Sequence, residues 1–407
     1  VGNVTSGGTE SCLLAVKTAR DLWRRAGGVG TPRLLAPVTV HAAFHKAAEY
    51  LGLELDLVPV EASGAVDAGR FAARLGPDVA LAVVSAPSYP HAALDPVAEI
   101  AAAAAEAGVS LHVDACIGGL VLPFWHGADG ELPPWDLRVP GVTSISADLH
   151  KFGYAPQGVS VLLHRGRDRH RAQYFATTGW PGYPVVNPTI LGSKSAGALA
   201  AAWAIIRALG AEGFAELAAR CQDATASLAA TIDGIEGLRV VGRPVGPLLA
   251  VAADDGVAPE ARVDPHHWAD AARRHGWILQ SQPGLAQCDG TRLPATTHLT
   301  ITPVTAGVLA PLGAALVAAA DEVRGRPSAA VTPLLGALAG LAGGDAPLDS
   351  ATAGAVLAGL GLGGTGGGSA LPDKTAPLLA LIEAVPAPLA ERLLTELLAR
   401  LVEPGAR

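Results

Sequence analysis

The sequence predicts an α/β fold in which a large domain with a mostly parallel sheet precedes a smaller C-terminal α+β domain. Three observations carry this. Short runs rich in Val, Ile and Ser alternate with amphipathic or Ala-rich helical stretches, turn residues bound each run, and the texture changes beyond residue 190. Taken in order, VTSGGTES at 4–11 leads into the amphipathic run LLAVKTARDLW. A glycine loop opening a helix makes a cradle for an anion, because bare N–H groups and the positive end of the helix dipole converge there. PRLLAPV then reads as a strand, HAAFHKAAEYLG as a helix, LELDLVPV as a strand and 68–75 as a short helix. VALAVVSA (79–86), VSLHVDA (109–115) and VTSISAD (142–148) read as strands, with the strong helix former AEIAAAAAEAG between the first two. Beyond residue 190 come a long Ala-rich helix at 193–230, the strands LRVVG and PLLAVAA, and a helix around HHWADAARRHG. The strands WILQ and HLTITPV and a helix at 306–324 complete the smaller domain, and 327–370, with GGTGGGS, reads as a flexible connector. The expected division is 1–192, 193–326 and 327–407.

Half of the 407 residues are apolar, yet Gly, Pro and charge are expected to break the apolar stretches before the ~18–20 residues a membrane span needs. A formal charge of −8 without a Lys/Arg cluster speaks against a nucleic-acid-binding surface. Cys12, Cys116, Cys221 and Cys288 lie far apart with no CxxC pair. That spacing indicates neither a zinc site nor a disulfide framework and fits a reducing cytoplasm. The chain contains no methionine and opens on Val1, so a preceding segment is expected.

The chemistry gathers at strand ends, where open α/β sheets bind ligands. LHVDAC places Asp114 at the end of a buried strand, SISADLHKFG places His150 and Lys151 just past the next, and His41 opens the helix of HAAFHKAAEY. A lysine, a carboxylate and an imidazole near an anion loop are what pyridoxal phosphate needs. The lysine forms the Schiff base, the carboxylate pairs with the pyridinium nitrogen, the imidazole stacks on the ring and the glycine loop takes the phosphate. His45, His126, His266 and His267 lack such company and read as structural or solvent-facing, and Cys116 reads as a small packed side chain. Lys194 reads equally as an active-site cation or a helix-start charge.

VTSGGTES, HAAFHKAAEYLG, SAPSYPHAALDP, LHVDACIGG, SISADLHKFGYAP and NPTILGSKSAG stand in one order over residues 4–325. Together they resemble the group II pyridoxal-phosphate decarboxylase family, and within it the sphingosine-1-phosphate lyase branch. The resemblance implies fold type I, a homodimer with active sites at the subunit interface, and a segment ahead of residue 1. Carried over, it makes Lys151 the Schiff-base lysine, Asp114 the pyridinium partner and His41 the stacking imidazole. Gly8 and Thr9 become phosphate ligands, Ser146 and His150 flank the phosphate or the Schiff base, and Ser85 and His112 lie close to the cofactor. Two departures concern the substrate end: YAPQG puts Gln157 where a second lysine is expected, and PGYPVVNPT leaves the role of Tyr183 open. The implied activity is retro-aldol cleavage of a phosphorylated amino alcohol, with amino-acid decarboxylation as the alternative. A non-catalytic descendant is disfavoured by the presence of both Lys151 and Asp114. The expected partner is a small-molecule amine and no nucleic acid, in a cytoplasmic protein whose preceding segment could still reach a membrane.

Overall fold

The strand-like runs of the first half pair into one seven-stranded sheet. The computed structural model describes residues 1–127, 130–329, 351–354 and 375–402, so most of the expected connector lies outside the described residues. The first of two units comprises 1–226, 241–249 and 300–307. Its elements begin with β1 (Gly2–Thr5), α1 (Gly8–Arg25), β2 (Arg33–Pro37), α2 (Ala42–Leu51), β3 (Glu54–Val58), α3 (Ala68–Ala72) and β4 (Val79–Ser85). They continue with α4 (Val97–Glu106), β5 (Ser110–Asp114), a small hairpin of β6 (His126–Gly127) and β7 (Gly130–Glu131), then β8 (Val142–Ala147), β9 (Ser160–His164) and α5 (Arg167–Gln173). A second hairpin pairs β10 (Phe175–Thr177) with β11 (Val185–Asn187).

The main sheet runs β1-β9-β8-β5-β4-β2-β3. Its strands are parallel except β9, which is antiparallel to both β1 and β8. β4 and β8 are buried along their whole length, as strands covered on both faces must be, which is why they read as unbroken apolar runs. α1 and α2 cover one face, where Cys12, Val16, Phe44 and Ala47 pack on Leu34, Leu81 and Val83. β1 and β9 were not read from the sequence, being short and bordered by Gly- and Ser-rich turns.

The second unit comprises 227–240, 250–299 and 308–407. The long helix α6 (Gly197–Asp233) runs from the first unit into it, with non-helical backbone at Gly210 (φ 59°). Residue 192, where the sequence changes texture, falls within the first unit. After α6 come β12 (Leu238–Val240), β13 (Leu248–Ala253), α7 (Pro265–Arg274), β14 (Gln280–Gln282) and the pair β15 (Leu285–Ala286) and β16 (Arg292–Leu293). β17 (Thr296–Thr300), α8 (Leu309–Val323), α9 (Ala376–Ala384) and α10 (Ala387–Val402) follow. The four-stranded sheet is ordered β12-β13-β17-β14. Buried Trp268 on α7 donates its indole N–H to Leu316 O on α8 at 2.9 Å.

Three readings change. The strand expected at 277–280 starts only at Gln280, because the Trp277 N–H closes on Ala272 O at 3.0 Å and ends α7 instead. The strand expected from His298 starts at Thr296 and stops at Thr300, just before a turn from Thr302 O to Thr305 N. The segments Gly197–Asp233 and Thr305–Val323 are long and apolar enough, by length and composition, to cross a membrane. Isolated charges do not end an Ala-rich helix, and the non-helical Gly210 kinks α6 without breaking the apolar run of its sequence.

Candidate active site

The carboxyl ends of the parallel strands open into a cavity of about 410 Å³. It is lined by the loop and first turn at 6–10, by Cys12, His41, Ser85, Pro87, Tyr89, Asp114, Cys116 and Ile117, and by Asp148, His150 and Lys151. Of the residues singled out in the sequence, Gly8, Thr9, His41, Ser85, Asp114, His150 and Lys151 all reach this one cavity. Register explains part of that. Ser85, Asp114 and Ser146 are direct neighbours across β4, β5 and β8, so three polar side chains form a row at the strand ends.

Ser146, at the end of this row, and His112 behind it line no part of the cavity. His112 is fully buried, with Nδ1 2.9 Å from Ser144 Oγ and Nε2 3.1 Å from Ser146 Oγ. Burial pushes its pKa down to about 4, so the ring is neutral. The Ser146 hydroxyl donates to Asp114 Oδ1 at 3.3 Å, and the Cys116 N–H donates to the same oxygen at 3.0 Å. Burial alone would raise the Asp114 pKa, but the Cys116 N–H and His41 outweigh it and hold the carboxyl below its ordinary value. A buried carboxylate kept ionised at a strand end is what a pyridinium nitrogen requires.

At the other side, α1 begins at Gly8, and the N–H groups of its first turn have no intrahelical acceptor. A hydroxyl chain holds the loop in place: Thr5 Oγ1 to Ser11 Oγ at 2.7 Å, Ser11 Oγ to Ser160 Oγ at 3.0 Å, and Ser160 Oγ donating to Ala147 O at 3.1 Å. Buried Glu10 clamps it from the other side, accepting from Ser6 N at 2.6 Å and from Ile190 N at 2.7 Å. Burial would raise the Glu10 pKa, but these backbone donors prevail and lower it. His150 accepts from the N–H groups of Gly158 and Val159 at Nδ1, both at 3.3 Å, which leaves its proton on Nε2. A Cβ on Gly7 would sit 3.4 Å from His150 Cε1, so the imidazole lies against the glycine loop.

Asp148 is the main residue the sequence reading missed. It is buried, and its Oδ2 lies 3.1 Å from Lys151 Nζ and 3.5 Å from His150 Nε2, while Oδ1 is buried without a hydrogen-bond partner. A Cβ on Gly8 would come within 2.6 Å of Oδ2 and 2.9 Å of Oδ1, so only glycine leaves this carboxylate its space. Burial on its own lowers the Lys151 pKa, but Asp148, Cys116 and Asp114 outweigh it and raise the pKa. The signal was present in SISADLHK: a carboxylate three residues before the lysine, across a turn in which Lys151 N–H reaches Asp148 O at 3.2 Å.

His41 caps α2, its Nδ1 accepting from Ala43 N at 3.1 Å, so the ring is fixed while remaining exposed to the cavity. Lys194 donates to Val4 O at 3.1 Å and to Thr189 Oγ1 at 3.2 Å, and does not line the cavity. Gln157 and Tyr183 are exposed and also outside its lining. His266 and His267 are buried, with Nε2 atoms 2.9 Å from Gln282 O and 3.2 Å from Pro327 O.

These residues fit pyridoxal phosphate. A lysine Nζ, an ionised buried carboxylate, an imidazole face and a helix N-terminus with a glycine at its tightest point surround one cavity of sufficient size. When bound, that cofactor supplies an electron sink for breaking a bond at the amine-bearing carbon of a substrate. Lys151 would hold its aldehyde carbon, Asp114 its ring nitrogen, His41 its ring face, and the 6–10 loop with His150 its phosphate.

The model of the pyridoxal-dependent decarboxylase conserved domain matches residues 1–249, and that of the C-terminal domain of pyridoxal-dependent enzymes matches 328–400. The sphingosine-1-phosphate lyase of Oryza sativa is 38% identical over 280 residues, covering 69% of this chain and 51% of that protein. The chain therefore spans about half the length of the curated relatives it matches. The solved sphingosine-1-phosphate lyase of Burkholderia pseudomallei is 35% identical, with a TM-score of 0.71 over 79% of this chain and 70% of that one. Glutamate decarboxylase of Lactobacillus brevis, 20% identical with a TM-score of 0.70 over 81% of this chain and 76% of that one, shares the fold. With its Asp114 and Lys151 facing one cavity beside a glycine-opened helix, and with a matching family model over more than half its length, the chain belongs to the pyridoxal-dependent decarboxylase family, with a fold type I architecture and pyridoxal phosphate as its cofactor.

Proposed function

We propose that the chain is a carbon–carbon lyase that cleaves a phosphorylated amino alcohol between its amine-bearing and hydroxyl-bearing carbons, releasing an aldehyde and an amine phosphate. The observation that carries this is likeness to sphingosine-1-phosphate lyases at 38% in sequence and 35% in a solved structure, over 69% and 79% of this chain. The geometry supports these residue roles: Asp114 would hold the cofactor's ring nitrogen, His41 would lie against its ring face, and Asp148, 3.1 Å from Lys151 Nζ, would hold the lysine's charge when it is free of the cofactor.

The same proposal includes a homodimer with the active site at its interface. Among the described residues lining the cavity, Lys151 is the only Lys or Arg. A substrate phosphate needs further cationic partners to be held away from water, and a second copy can bring them. Between residues 175 and 206, Phe175, Trp180, Tyr183, Val186, Ile190, Leu191, Leu199, Trp203 and Ile206 are all exposed. A second copy covering them would remove this apolar surface from water and would explain the apolar exterior of α6 without a membrane. The division of the chain near 192 and 326, and a cytoplasmic location, belong to the same reading; the two family models leave a gap between residues 249 and 328.

The alternative, amino-acid decarboxylation, is favoured by Gln157, a neutral side chain where the lyase pattern has a cation. Product analysis separates the two. Incubated with phosphorylated long-chain amino alcohols and with a panel of amino acids, the protein is expected to release aldehyde from the former. Carbon dioxide from an amino acid, with no aldehyde from any amino alcohol, would overturn the lyase reading in favour of the other.

A further inference from the structure

We propose that Cys12, Cys116 and Asp114 form a binding site for one thiophilic divalent cation, with zinc as its representative, and that this ion and the cofactor exclude one another. The two cysteines are remote in sequence, but the fold sets Cys12, on the second turn of α1, against Cys116, two residues past the end of β5. Both thiols and a carboxylate oxygen of Asp114 lie within 4.8 Å of one another, and all three residues are buried. Cys116 Sγ also donates to Ser146 Oγ at 3.3 Å.

The dimensions suit the ion. Tetrahedral zinc with Zn–S of ~2.3 Å and Zn–O of ~2.0–2.2 Å needs sulfurs roughly 3.8 Å apart and S–O separations slightly shorter. A ligand triangle with sides no longer than 4.8 Å reaches that by small side-chain rotations. Cys12 is held within α1 and Asp114 ends β5, while Cys116 follows in the turn whose N–H is fixed on Asp114 Oδ1 at 3.0 Å. All three residues line the cavity, which leaves the fourth coordination position open to water, as in sites that bind exchangeable ligands. Two thiolates and one carboxylate are also the ligand softness that selects zinc or cadmium over magnesium or calcium.

The charge balance is closed. One divalent ion replaces two thiol protons, which leave to solvent, and the complex of two thiolates, one carboxylate and the ion carries a net charge of −1. Lys151, whose ammonium already feels both Asp114 and Cys116, offsets part of it while paired with Asp148. Exclusion follows because the ion takes the carboxylate that the cofactor ring nitrogen requires; this arm rests on the cofactor assignment, whereas ion binding itself does not.

The test uses reduced protein with Cys288, the exposed thiol, replaced by Ser. Cofactor-free protein titrated with cadmium is expected to show a cadmium–thiolate charge-transfer band saturating at one ion per chain, with two protons released per ion in weak buffer. Cys12→Ser and Cys116→Ser are each expected to abolish the band and weaken zinc binding by about 10-fold or more, the loss typical of a ligand or its support. Cys12→Ser must still take up pyridoxal phosphate, shown by its visible absorption, which establishes that the variant folds. In the holoenzyme, added zinc is expected to release cofactor into the filtrate. An undiminished band in Cys12→Ser would overturn the site, and a holoenzyme that binds one zinc through these thiols while retaining its cofactor would overturn the exclusion.

Discussion

Lys151 and Asp148 form the pair on which the site turns, only one of which stands out in the sequence. Lys151→Ala is expected to abolish covalent capture of pyridoxal phosphate by borohydride, checked by mass of the cofactor-bearing peptide. Asp148→Asn keeps the shape but removes the charge 3.1 Å from Lys151 Nζ. The lysine pKa then falls, and because only the neutral amine attacks an aldehyde, cofactor uptake is expected to proceed at lower pH than in wild type. Stopped-flow absorbance of uptake against pH reads this directly, and an unchanged profile would show that Asp148 does not govern the lysine. For Asp114→Ala, stranding the pyridinium partner costs about 3–5 kcal/mol, so turnover is expected to fall by two orders of magnitude or more while borohydride capture on Lys151 persists. The sequence made Asp114 and Lys151 legible because strand-end position and residue type sufficed. Asp148 was hidden in a quoted motif because a carboxylate acquires its role from burial and from what faces it, and neither is written in residue order.

At the scale of elements, the decisive junction is the start of α1 against the turn after β8. Gly8 is required there by space rather than by backbone conformation, since a Cβ would meet both Asp148 oxygens and come 3.0 Å from Cys116 Sγ. Gly8→Ala is therefore expected to cost about 1–3 kcal/mol in denaturant unfolding, the usual range for overpacking, and to weaken cofactor uptake by at least 10-fold. Loss of stability with uptake unchanged would place the phosphate elsewhere. Periodicity revealed α1, α2, α4 and the strands β2, β3, β4, β5 and β8, of which β4 and β8 are buried along their whole length. It did not reveal β9, which takes its place by pairing antiparallel between β1 and β8 and supplies Ser160 to the hydroxyl chain holding the loop. That pairing is a long-range event with no local signature.

For the whole molecule, buried titratable groups set the pH dependence of stability. Burial lowers His112 and His164 to about 4, so both are neutral when folded and charged when unfolded between roughly pH 4 and 6.5. Burial raises Asp95 to about 7, partly offset by the N–H groups of Ser85 and Val66, so the folded state keeps a proton that the unfolded state loses above about 4. In that window the unfolded chain binds two protons more through the histidines and one fewer through Asp95. Stability should thus rise with pH by about 1.4 kcal/mol per unit. His91 and His170, lowered mainly by burial, act in the same sense. Asp95→Asn removes the opposing proton and is expected to double the slope, measured by denaturant unfolding at several pH values; an unchanged slope would mean Asp95 is ionised when folded. On the proposed assembly, a stable interface of more than ~2,000 Å² should bury Trp203, 67% exposed in the single chain. Trp203→Glu is expected to shift sedimentation toward monomer and to lower activity in parallel.

Composition, strand-end polarity and the order of motifs were enough to read the family and its cofactor, and to single out Lys151, Asp114, His41 and the glycine loop, which line one cavity. Each of those rests on local chemistry: a glycine turn before a helix, a charged side chain ending an apolar strand, an imidazole at a helix cap. Tertiary structure alone decided that Asp148 holds Lys151, that Thr5, Ser11 and Ser160 form one chain of hydroxyls, and that Cys12 meets Cys116. Ser11–Ser160 and Cys12–Cys116 join segments far apart in the chain, and even the local Asp148–Lys151 pair takes its role from burial, which a linear pattern of residue types does not encode.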